Sequence, residues 1–88
     1  MWILIKQKKE DYEETLLNVE TGHEIRLSEK SNSVVFVKFG VGPNGVIGAE
    51  QTIAQFDNKE LLYNFFKNLA LVLKARDAAS PGLDLVGE

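Results

Sequence analysis

His23 is the one histidine of this chain, and it stands between Glu20 and Glu24. An imidazole beside a carboxylate is the pairing used in general-base catalysis or, with further donors, in a weak metal site. The chain has no cysteine, so the thiolates that usually complete a structural zinc site are missing, as are thiolate nucleophiles and iron–sulfur ligands. A catalytic base also needs a target group and a cleft. His23 is therefore expected to be an exposed turn residue.

Gly40-Val41-Gly42-Pro43-Asn44-Gly45 matches the G-x-G-x-x-G spacing that lets a backbone approach a pyrophosphate. That chemistry requires the glycines to open a helix whose first amides face the phosphates. Here Val46-Ile47-Gly48-Ala49 continues as an extended segment, and Pro43-Asn44-Gly45 is ordinary turn chemistry. A hairpin loop is expected at 40–45, and loops of this kind can also contact partners. Glu10, Asp11, Glu13 and Glu14 could offer oxygens to calcium, but they lack EF-hand spacing and its glycine, and read as a solvated turn with Lys8 and Lys9. No G-x-S-x-G or paired-carboxylate arrangement is present. No catalytic, cofactor-binding or metal-ligating residue is assigned, and the chain is expected not to be an enzyme.

The elements that must carry any other function come from 88 residues, of which 44% are apolar and 26% charged. A chain of this length buries only about 60–65% of its unfolded surface, and its expected radius of gyration is about 12 Å. Nearly every apolar residue is needed for folding, so a deep catalytic pocket has no material to be built from. The absence of cysteine points to a reducing, cytoplasmic setting. Met1–Ile5 carries no basic flank for a secretory signal, and Leu69–Leu73 falls far short of the roughly 18–20 residues that cross a bilayer. The net charge is −3, but Asp84 and Glu88 lie beyond Pro81-Gly82, leaving the part expected to fold close to neutral. Strong non-specific attraction to nucleic acid is not expected of such a balance.

Hydrophobic period places five strands. Trp2–Lys6 is the first, Tyr12–Glu20 the second and, after a turn at Gly22, His23–Leu27 the third. Val34–Phe39 is the fourth and Val46 to about Phe56 the fifth, with Gly48 marking a bulge or a close approach. Asp57 and Glu60 have the spacing of a capping box, followed by Leu61, Leu62, Phe65, Phe66, Leu69, Val72 and Leu73 on one helical stripe. The helix is expected to end by Ala79, since Pro81 disfavours helical geometry before it. The fold expected is α+β, a curved five-stranded antiparallel sheet, mostly a meander, packed on one C-terminal helix, with residues 1–79 as one domain and 80–88 as an acidic tail.

This sheet has two apolar faces and only one helix to cover them. The expectation is that Val35, Val37 and Phe39 face the helix, leaving Trp2, Leu4 and Lys6 with Val34, Phe36 and Lys38 on the outer face, beside Leu16 and Arg26. Three accounts compete for that surface: the sheet curls until Trp2 and Phe36 close over each other, two subunits meet there, or single-stranded nucleic acid stacks on the aromatics while Lys6, Arg26 and Lys38 meet phosphates. Tyr63 and Leu71, near the polar side of the helix, form a second candidate contact region. In layout alone, strands followed by a terminal helix, the chain resembles the single-stranded-DNA-binding transcriptional coactivator family, a likeness that no residue motif carries. The reading adopted is a small non-catalytic interaction module that forms a homodimer and binds a protein partner through the outer sheet face or the loop 40–45. Single-stranded nucleic acid is the alternative partner, and no membrane is involved.

Overall fold

A computed structural model describes residues 1–78. Its strands are β1 (Trp2–Ile5), β2 (Glu14–Asn18), β3 (Glu24–Ser28), β4 (Ser33–Gly42) and β5 (Gly45–Gln55), followed by the helix α1 (Lys59–Val72) and a short β6 (Arg76–Asp77). They form one sheet in the order β5-β4-β3-β2-β1-β6. The first five strands make an antiparallel meander, and β6 pairs with β1 in parallel. The fold is α+β, with a single helix among the described residues, near the C-terminus, packed on the sheet. The sixth strand was not expected, and the proposed tail at 80–88 lies outside the described residues.

Turn chemistry sets the register. Asn18 Oδ1 accepts from the N–H groups of Glu20 and Thr21, at 2.9 and 3.2 Å. Gly22 then takes φ +79°, where a Cβ would be strained. This closes β2 on β3 with Leu16 opposite Ile25 and Thr15 opposite Arg26. The next hairpin is tighter than a six-residue loop, because Gly42 already pairs with Gly45 and only Pro43 and Asn44 turn. The register shift lies between Val34 and Val35 and leaves Ile53 as the extra residue on β5. Gly48 instead lies under the Phe39 ring, so it marks the close approach rather than the bulge. This long hairpin projects from the sheet, and the radius of gyration is 13.6 Å rather than about 12 Å.

The helix is capped by Asn58, not Asp57. The Asn58 side chain accepts from the Leu61 N–H at 2.9 Å, which puts Glu60 one position too early for the expected capping box. At the other end Lys74 adopts φ +55°, the Lys74 N–H donates to the Leu71 carbonyl at 3.1 Å, and the Ala75 N–H donates to the Ala70 carbonyl at 2.9 Å. This is a Schellman closure with lysine where glycine usually sits. It stops the helix at Val72, well short of Ala79, and turns the chain so that Arg76 and Asp77 can lie beside Ile3 and Leu4.

The two sheet faces are the reverse of the expected assignment. Leu16, Ile25, Leu27, Val34, Leu62 and Phe66 form the buried core, and Trp2, Leu4, Phe36 and Tyr63 pack against it. Val35, Val37 and Phe39 lie on the side away from the helix. The physical reason is that Val34-Val35-Phe36-Val37 is apolar on both faces, so period alone cannot choose between them. The choice is made one strand away. In β3, Ile25 and Leu27 alternate with Glu24, Arg26 and Ser28, and the pairings carry Ile25's face to Leu16 and Phe36.

Candidate functional site

The cross-strand pairings lay two rows across the outer face. One runs Ile3, Leu17, Glu24, Val37, Glu50, and the other Ile5, Thr15, Arg26, Val35, Thr52. Among the described residues, no helix covers these rows. The connection between β1 and β2 leans across them instead, held by Lys9 and Tyr12, whose backbone N–H groups donate to each other's carbonyls at 2.9 and 3.0 Å. This brings the Tyr12 ring to 5.0 Å from the guanidinium carbon of Arg26.

Arg26 is 8% exposed, which for a charged side chain on an uncovered face requires partners. Its Nε donates to Glu24 Oε1 at 2.8 Å, and its outer nitrogen lies 3.9 Å from Glu50 Oε1. The Tyr12 hydroxyl donates to the same Glu50 oxygen at 3.1 Å. Burial alone would lower the Arg26 pKa, but the hydrogen bond and charge of Glu24 outweigh it and raise the value. Burial, and then the Glu50 carboxylate, raise the Tyr12 pKa, so its hydroxyl stays a donor. The result is a fixed aromatic and cationic ridge. Hollows of about 420 and 390 Å³ flank it, one reaching Ser28, Ser33 and Val35, the other Ile5, Thr15 and Leu17.

A third concavity, about 460 Å³, opens between α1 and the β1–β6 edge. Leu4, Phe66 and Ala70 line it, with Lys6, Glu14, Lys67 and Asp77 among its polar residues. Its charges largely answer one another: Lys6 lies 3.7 Å from Asp77, and Glu14, pushed up by burial, is drawn back down by Lys6. Tyr63 donates to Glu29, which also takes Lys59 at 3.1 Å. Burial and that carboxylate raise the Tyr63 pKa, while the Tyr63 hydroxyl and then Lys59 hold Glu29 below its ordinary value. The Tyr63, Glu29 and Lys59 contacts tie helix to sheet.

The residues expected to form one outer surface are thus dispersed. Trp2, Leu4, Leu16, Val34 and Phe36 belong to the helix side. Lys6 and Leu71 line the cleft with Tyr63. Lys38 is exposed opposite Ala49, on the same side of the sheet as Phe36. Arg26 alone of the set lies on the true outer face, because it pairs with Thr15 and Val35 rather than with Leu16. Sequence reasoning missed Tyr12, Glu24, Glu50 and Phe39. The charged alternation Glu24-Arg26 was a signal for the outer face, whereas nothing local announces that Tyr12 reaches across it.

His23 is not simply an exposed turn residue. Its Nδ1 accepts from the Phe39 N–H at 3.2 Å, and its ring meets Phe36 edge-on at 5.8 Å. Among the described residues, no group of three or more His, Cys, Asp or Glu side chains could hold a metal ion, and no helix is long and apolar enough to cross a membrane. Comparison with protein-family models, with curated proteins and with solved structures finds no match.

Proposed function

We propose that this chain is a small non-catalytic interaction module that self-associates and binds a protein partner through the outer sheet face, with the 40–45 hairpin extending the contact. The observation that carries the reading is the Tyr12–Arg26 ridge. Tyrosine and arginine are the residues most used as anchors in protein interfaces, and here both are held in place before any partner arrives. Ile3, Ile5, Leu17 and Phe39 supply half-buried apolar surface around the ridge. At the hairpin tip Val41 and Val46 are 90% and 75% exposed, further than folding alone requires.

Single-stranded nucleic acid is the alternative partner, and the placement of the residues first considered for it favours it less. A stacking platform needs aromatics and cations on one surface, but Trp2 and Phe36 pack with the helix, Lys6 faces Asp77, and Arg26 is paired with Glu24. The test uses the purified chain as bait beside an Arg26→Ala, Phe39→Ala variant and a Leu71→Ala variant. A protein held by wild type and by Leu71→Ala, but lost by the double variant, supports the outer face. The same proteins held by all three would overturn it, and binding of labelled single strands that weakens as salt rises would favour nucleic acid instead.

A further inference from the structure

Among the described residues β5 is the edge of the sheet, paired with β4 on one side only. Its sequence, GVIGAEQTIAQ, has Glu50 as its sole charge and contains neither proline nor lysine. Edge strands are usually guarded against pairing by charges, prolines, bulges or brevity. Here the one bulge sits at Ile53, near the end of the strand, so Val46 to Thr52 is left as an unguarded row of alternate N–H and C=O groups. All described side chains in that stretch are exposed.

A second observation lies on the same side of the molecule. Leu61, Phe65 and Val72 share a stripe along α1 and are 48%, 36% and 77% exposed. The contact of Phe65 with Phe56, ring centres 5.2 Å apart, turns this stripe toward β5 and away from the cleft at β1.

We infer that β5 pairs antiparallel with β5 of a second copy of this chain, about a two-fold axis through Ala49. This inference deepens the self-association in the proposed function. The occupant is a second copy because the open stretch is self-complementary. Pairing Val46 with the partner's Thr52 uses its whole length and fixes the axis at Ala49. Glu50 then faces the partner's Gly48, where there is no side chain to meet it, whereas an axis through Glu50 would oppose two carboxylates. Antiparallel pairing of this kind places the axis perpendicular to the sheet, so both helices lie on one face of the joined sheet and their apolar stripes turn toward each other.

The test exploits a chain without cysteine. Ala49→Cys puts one thiol from each copy on the axis, where either type of antiparallel pair brings the Cα atoms within disulfide range. Under mild oxidation it should convert mainly to a covalent dimer, while Val41→Cys, exposed at the hairpin tip, should cross-link at least tenfold more slowly. Ala49→Lys, which sets two ammonium groups on the axis, should weaken the dimer at least tenfold in sedimentation equilibrium without changing the urea midpoint of the monomer. A wild-type dimer unaffected by Ala49→Lys, with Ala49→Cys no faster than Val41→Cys, would overturn the edge while leaving self-association standing. A wild type that stays monomeric at high concentration would remove self-association and the edge together.

Discussion

The two faces of this sheet are built from the same strands, often from neighbouring residues, yet they use apolar side chains for opposite purposes. On the helix side, Leu16, Leu27, Val34, Leu62 and Phe66 are almost wholly buried, and the packing is helix against sheet. On the other side Val35 and Val37 are also buried, but with no second layer above them among the described residues; what shares their rows is Arg26, Glu24 and Glu50. Exclusion of water does not by itself identify a core. A core is closed by apolar layers, whereas this outer face is closed by an ion-paired ridge.

The comparison breaks most readily from the helix side. Leu62→Ala removes a fully buried side chain, and denaturant unfolding should show a loss of about 3–4 kcal/mol, the range for leucine truncation in a packed core. A smaller effect is expected opposite. Arg26→Ala should cost about 1–2 kcal/mol, since it removes one charge-assisted hydrogen bond, to Glu24, and one looser ion pair, to Glu50. Under the proposed function the same variant should abolish partner binding, an effect larger than its effect on stability. If Arg26→Ala unfolded the chain as severely as Leu62→Ala, the ridge would be core and not an interaction surface.

The register explains how much of this was legible. The turn at Pro43-Asn44 and the antiparallel meander follow from period and turn chemistry and are present, whereas of the helical stripe Leu61, Leu62, Phe65, Phe66, Leu69, Val72 and Leu73 only Leu62 and Phe66 are buried, and Leu61, Phe65 and Val72 are 48%, 36% and 77% exposed. Which face the helix covers did not follow, because β4 offers valines to both sides. The pairing of Thr15 with Arg26 decides it, and that pairing depends on how Asn18 and Gly22 close the intervening hairpin. The end of the helix was hidden for a related reason. Lysine at position 74 takes a conformation that glycine would have advertised. β6 and the reach of Tyr12 over Arg26 are both tertiary, with no periodic trace in the chain.

The smallest effect sharpens the comparison through pH. Glu29 joins α1 to the sheet through Tyr63 and Lys59, which lower its pKa in the folded state. A depressed carboxylate stabilises the fold above its unfolded pKa of about 4.3, and that contribution fades as pH falls through the lower folded value. Glu29→Gln should therefore be modestly less stable than wild type at pH 7, with the gap closing below about pH 4. Glu14, raised by burial in the cleft, has the opposite sign. Its charge costs stability at neutral pH, so Glu14→Gln should gain there and lose that advantage as pH falls through the raised value. A gap for Glu29→Gln that does not depend on pH would show that the carboxylate is not what ties the helix down.

Phe36 and Phe39 lie in the same strand on opposite faces, one packed against the helix-side core and the other over Gly48. Trp2, the only tryptophan, packs against that core and can report unfolding by its fluorescence. The most direct measurement is urea unfolding of Phe36→Ala and Phe39→Ala side by side. The account predicts a loss of about 2–4 kcal/mol for Phe36→Ala and less than about 1 kcal/mol for Phe39→Ala. Equal losses, or a larger one for Phe39→Ala, would contradict the assignment of the two faces.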